Sequence, residues 1–196
     1  MTSTSARSPL APRPSSVHPA GSTPGQAHVH SMIVVIDQIG DAVRVIGGWL
    51  CDRVWAGWDV TAWVPAGCDT TPLRILGVPA VALDGDPWPA RRPAAIAVGC
   101  DLTSLPSALH TKVDVVIRDP RTEVTVWGDR RPLSGNRLHD VQHRLSAAAV
   151  AFKTQALHAA SLSGTCASTE NFLSYTPQSR TAPSAPSRWA ATGSAV

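Results

Sequence analysis

The stretch IVVIDQIGDAVRVIGGWLCDRVWAGWDVTAWV, residues 33–64, decides how the chain folds. Ile33-Val34-Val35-Ile36 is a short β-branched run of the kind that forms a strand buried on both faces. Behind it, Val43, Ile46, Leu50 and Val54 recur at three- and four-residue steps, which predicts an amphipathic helix over 42–56 that ends near Gly57. Gly47 lies on its apolar face and Gly48 beside it; each costs about 1 kcal/mol relative to alanine in a helix, so a close neighbour is the expected compensation. Asp59-Val60-Thr61-Ala62-Trp63-Val64 then resumes a strand. Strand, helix and strand in this order make a right-handed crossover unit.

Working outward, Leu73–Leu76 reads as a short helix closed by Gly77, and Val78 to Leu83 as a strand. Ala94 to Val98 is a further buried strand, followed by a short helix around Ser104 to His110. Val113 to Ile117 and Glu123 to Trp127 flank Asp119-Pro120-Arg121-Thr122, which predicts a hairpin. Leu138, Val141, Leu145, Ala148, Phe152 and Ala156 form one stripe, so a long final helix is expected from about Ser134–Asn136 to Ala160. The fold class is therefore α/β: a single three-layer domain with a mostly parallel sheet, a C-terminal hairpin and a long last helix. Through Ile33–Ile36, the helix at 42–56 and Trp58-Asp59-Val60-Thr61, the architecture resembles Rossmann-like nucleotide-binding proteins. Asp37-Gln38-Ile39-Gly40-Asp41 stands where that family has Gly-x-Gly-x-x-Gly, and no Gly-Lys-Ser/Thr loop occurs. The resemblance therefore brings no nicotinamide, flavin or other cofactor with it.

The domain spans 31–160. Residues 1–30 hold five prolines and nine Ser or Thr, and residues 161–196 hold three prolines and thirteen Ser or Thr. Segments with so little to bury do not offset an ordering cost of about 1–2 kcal/mol per residue, so a disordered leader and a disordered tail are expected. Phe172, Leu173 and Tyr175 are the one apolar cluster of the second tail. The leader has no apolar core of a secretory signal, and no apolar run spans a bilayer, so a cytoplasmic protein with reduced thiols is expected. The net charge of +3 comes from the two ends, since the centre carries 13 basic and 13 acidic side chains. Arg130, Arg131, Arg137 and Arg144 form the best local basic cluster.

Two loops echo each other: Gly67-Cys68-Asp69-Thr70-Thr71-Pro72-Leu73 and Gly99-Cys100-Asp101-Leu102-Thr103-Ser104-Leu105. Each falls between a strand and a helix, where Gly turns the chain and Asp caps the free N–H groups of the next helix. The same geometry can hold an anion, since ligands of open α/β sheets bind beyond the carboxyl ends of the strands. Asp37, Cys68, Asp69, Thr70, Cys100, Asp101 and Thr103 are accordingly the candidate ligand contacts, with Asp37 a possible general base, ribose ligand or cap.

The four cysteines include no C-x-x-C pair, and no third ligand joins His139 and His143, so no metal site is expected. Those histidines, four residues apart in His-Asp-Val-Gln-His, read as solvent-facing on the last helix. No Gly-x-Ser-x-Gly elbow is present. Six of seven tryptophans lie in the domain; Trp49 and Trp55 fall off the helix stripe and are candidates for an interface.

With no complete catalytic set, the expectation is a non-catalytic module that binds a partner protein, a second copy of itself or a small anionic ligand. The alternatives are an enzyme acting on a nucleotide or phosphorylated small molecule at the carboxyl edge of the strands, and a weak nucleic-acid binder using the arginine cluster.

Overall fold

A computed structural model describes residues 30–84, 88–99, 101–128 and 138–175. The expected leader apart from His30, most of the expected tail, Cys100, and Arg130, Arg131 and Arg137 lie outside the described residues. In chain order the elements are β1 (Ser31–Val35), α1 (Ile39–Trp55), β2 (Asp59–Val64), α2 (Thr71–Ile75), β3 (Ala80–Ala82), β4 (Ala95–Val98), a 3-10 turn (Leu102–Ser104), α3 (Ser107–Arg118), β5 (Glu123–Val126), β6 (His139–Arg144), α4 (Ala147–Ala159) and β7 (Thr169–Tyr175).

The strands form one sheet in the order β3-β2-β1-β4-β5-β7-β6. All neighbours from β3 to β5 run parallel, and β7 pairs antiparallel with both β5 and β6. The sheet is thus mixed and mostly parallel. Because side chains alternate along a strand, it has two cores. Met32, Val34, Ile36, Val60, Ala62 and Val64 face a layer that includes α1, α2 and α4. Ile33, Val35, Trp63, Ile96 and Val98 face α3 on the other side.

Three expectations are corrected. Val113 to Ile117 is not a hairpin arm but the second half of α3, where Leu109, Val113, Val116 and Ile117 are buried at helical spacing. Their β-branching suits a strand, but the burial of a 3.6-residue stripe, with an Asp114–Arg118 pair one turn apart, decides for helix. The last helix is also shorter than expected. Residues 139–144 form β6, and α4 begins only after Ser146, whose hydroxyl accepts from the Ala149 N–H at 3.0 Å. The antiparallel pair of β6 and β7 is joined through α4, so it is no hairpin. Finally, residues 169–175, expected in the tail, are a strand between β5 and β6: Phe172 is buried, and Thr125 and Ser174 meet through their hydroxyls.

β7 also brings a charge into the core. Glu170 is buried and accepts from the N–H groups of Gly48 and Trp49, in the middle of α1, at 2.8 and 2.7 Å. The buried Lys153 ammonium of α4 contacts Glu170 and donates to the Arg44 carbonyl at 2.7 Å. The usual partner of a helical N–H is the carbonyl four residues back, which for Gly48 is Arg44. The ion pair thus serves both members of one peptide pair of α1. Gly48 also lets Leu145 pack close to α1, because a Cβ there would lie 2.5 Å from Leu145 Cδ1. The expected close neighbour of Gly47 is Leu76, at 3.3 Å from a Cβ.

A second polar tie joins α1 to the β6–α4 turn. Asp52 accepts from His143 Nε2 at 2.8 Å and from the Ser146 N–H at 3.2 Å. His143 is therefore partnered, on a strand, rather than turned to solvent on a helix. Burial pushes the Asp52 carboxyl up, but the hydrogen bonds from Ser146 and His143 outweigh it and hold it below the ordinary value. A carboxylate whose folded pKa is depressed adds stability that is full above its unfolded pKa and is lost as pH falls through the folded one. The urea midpoint of the protein should therefore drop below about pH 4, and Asp52→Asn should show a shallower drop over the same range. Parallel acid limbs for the two proteins would refute the assignment.

Candidate functional site

The strand order reverses between β1 and β4: β2 and β3 follow β1 outward on one side, β4 and β5 on the other. At such a switch point the connections leave in opposite directions and open a crevice at the carboxyl ends of the strands. A crevice of about 670 Å³ lies there, lined by Asp37 after β1, Gly99 after β4, Gly128 after β5, and Gln38, Asp41 and Arg44 of the α1 region. Leu162, from the loop after α4, forms part of its wall. Gly99 keeps the floor low, since a Cβ would lie 2.0 Å from the Trp127 indole, which is buried just below.

Among the described residues, two carboxylates and one guanidinium thus line the crevice at the opening of α1. Gln38 at the N-cap position makes no side-chain cap bond, and Asp41 sits in the first turn. The partial positive charge of a 17-residue helix therefore points into the crevice. Among the described residues no group of three or more His, Cys, Asp or Glu is placed to hold a metal ion.

The parallel strands bring the two look-alike loops to the same rim, one on each side of β1. Within them, Asp69 accepts from the Thr71 N–H at 2.9 Å and Asp101 from the Thr103 N–H at 3.0 Å. Both carboxylates act as caps, and the bond from Thr71 holds Asp69 below the ordinary carboxyl value. Thr70 occupies the N-cap position of α2 without a side-chain cap bond. Cys68 is exposed. Of the candidate contacts, Asp37 alone shares the crevice lining with Gly99 among the described residues; Asp69, Thr70 and Thr103 are not part of it.

Asp41 and Arg44 line the crevice and are not among the candidate contacts expected from sequence. Their signal was present: they follow Asp37 at four and seven residues, so a helix starting at Ile39 carries them up from the strand end. Of the two tryptophans read as interface anchors, Trp49 is in the core, 3% exposed and 5.0 Å from the Phe172 ring, so it has no surface to offer. Trp55 is 68% exposed and lies 5.9 Å from Phe152. Arg144 is exposed at the end of β6.

No protein-family model matches the chain, and no curated protein matches it by sequence. Among solved structures, the chain is similar to a deacetylase in complex with teicoplanin, from the teicoplanin biosynthesis pathway. The TM-score is 0.50 at 10% identity, covering 76% of this chain and 99% of that one. The A40926 pseudoaglycone deacetylase Dbv21 aligns with a TM-score of 0.48 at 12% identity, over 76% of this chain and 96% of that one. The first likeness shows a shared fold. It also corrects an expectation: the sequence predicts a non-catalytic module that binds a partner protein or small anion, whereas the solved protein that shares this fold is an enzyme, a deacetylase. Among the described residues no helix is long and apolar enough to cross a membrane.

Proposed function

We propose that the chain is an enzyme that acts on a small molecule in the crevice at the carboxyl ends of β1, β4 and β5, and that its chemistry is hydrolytic removal of an acyl group. The placement of Asp37 beside the first turn of α1 carries this reading. The Asp37 carboxylate takes a proton from water as the water oxygen bonds to the acyl carbon. The carbonyl oxygen, now an oxyanion, is met by the N–H groups of the α1 N-terminus, donors fixed before the reaction starts, and by the Arg44 guanidinium. When the carbon–nitrogen bond breaks, the proton passes from Asp37 to the leaving amine, and the products are a carboxylate and an amine. Deacetylation by the proteins of similar fold is a reaction of this class. The order β3-β2-β1-β4-β5 supports a Rossmann-like reading of this half of the sheet.

A nucleotide or phosphorylated substrate is supported less. Among the described residues two carboxylates, Asp37 and Asp41, line the crevice, and they repel a phosphate dianion but not a neutral acyl group. A panel of N-acylated amino sugars and other small amides, with release of free amine as the readout, tests the proposal. Asp37→Asn should lower turnover by about 10²–10⁴-fold while the variant still unfolds cooperatively. Full activity in that variant would sink the role of Asp37, and turnover of phosphate esters alone would favour the other substrate class.

A further inference from the structure

A second concave site lies at the opposite edge of the sheet. It has a volume of about 500 Å³ and is lined by Arg91, Arg92 and Arg121 around the starts of β1 and β4, with Ser31 and Ala94 as its floor. β1 spans five residues, so this basin is separated from the crevice by roughly 17 Å of strand.

Two of the three guanidinium groups are held in place. Arg92 donates to the hydroxyl of the buried Thr122 at 3.0 Å and pairs with Asp119. Arg121 makes a forked contact with the same Asp119, at 3.2 and 3.1 Å, and its own N–H closes the turn onto that carboxylate. The Arg121 side chain and N–H, together with Arg92, hold Asp119 down at about 2, so it stays ionised at neutral pH. Arg91 pairs with no carboxylate among the described residues. Glu123, which follows on β5, is engaged by Arg53. Among the described residues three guanidiniums therefore stand against one carboxylate, a surplus of two positive charges in a concave site.

We propose that this basin binds a phosphate dianion, as the free ion or as the terminal group of a phosphomonoester. The surplus matches a dianion. Planar guanidiniums held by Thr122 and Asp119 suit the forked recognition of a tetrahedral oxyanion better than mobile point charges do. Binding here does not depend on the chemistry proposed for the crevice.

Calorimetric titration with inorganic phosphate, and separately with glycerol phosphate, tests the site in the full chain. One saturable site at millimolar phosphate or below is expected in the unmodified protein and in Asp37→Asn. Arg91→Glu and Arg121→Ala should each weaken it about tenfold or more, since each removes a charge-assisted contact. Both arginines are exposed, so unchanged melting temperatures should accompany that loss. Tighter binding of glycerol phosphate assigns the site to an ester, and equal or weaker binding to the free ion. No saturable binding, equal affinity in the arginine variants, or loss in Asp37→Asn would overturn the proposal. The last result would assign the phosphate to the crevice instead.

Discussion

Replacing Lys153 by methionine should destabilise the protein by about 3–5 kcal/mol, the usual cost of leaving one charge of a buried pair without its partner. Lys153 and Glu170 are 4% and 2% exposed at their side chains, so solvent screens neither. Three elements meet at this pair: α4 supplies the ammonium, β7 the carboxylate, and α1 the peptide groups of Arg44, Gly48 and Trp49. In Lys153→Met the Arg44 carbonyl loses a donor, and Glu170 keeps two N–H partners but no counter-charge. Adding Glu170→Gln should return part of the loss, because a neutral amide oxygen can still accept from α1. Urea unfolding of the single and double variants measures both effects. A loss under about 1 kcal/mol for Lys153→Met would show that the pair contributes little beyond filling space.

Gly99→Ala should cost about 3 kcal/mol, at or above the upper end for overpacking a core. The obstacle is not backbone conformation but the Trp127 indole, 2.0 Å from where the new methyl would sit. A rigid ring, 3% exposed and packed with the α1 side of the core, has nowhere to turn. The effect should depend on that ring: in a Trp127→Leu background, Gly99→Ala should cost less than about 1 kcal/mol. Equal costs in the two backgrounds would mean that the strain lies elsewhere. Since Gly99 lines the crevice, the same variant should also impair whatever turnover the acyl panel detects.

Much of the parallel half of the sheet was legible because its code is local. Ile33–Ile36, the stripe of Val43, Ile46 and Leu50, and Asp59–Val64 each declare their period within a few residues, and they fold as β1, α1 and β2. The antiparallel half was not, because partner strands decide it. His139–Arg144 carries one large apolar residue, Val141, with polar neighbours, which is how an edge strand looks when only one flank is paired. The same letters fit a helix face until the Ser146 cap is recognised. β7 lies in a Ser- and Thr-rich background, and the burial of its Glu170 makes sense only once Lys153 is opposite.

The candidate site divided in the same way. Asp37 could be placed at a strand end from sequence alone, and the parallel order carries it into the crevice. Asp69 and Asp101 could be placed at helix starts, but capping and ligand binding use the same geometry. Arg44 and Asp41 needed the helix phase, and the basin of Arg91, Arg92 and Arg121 needed the tertiary fold, because those residues come from two separate turns.

The position of β7 sets a timetable for synthesis. It is the last strand of the described chain, yet it lies between β5 and β6. While a ribosome makes the roughly fifty residues from Val126 to Tyr175, β5 presents an open edge and β6 has no neighbour, a window of about 2–10 seconds. During that interval the nascent chain offers a ready template to any other extended segment. A chaperone that shields strand edges would matter most for this protein just before β7 emerges.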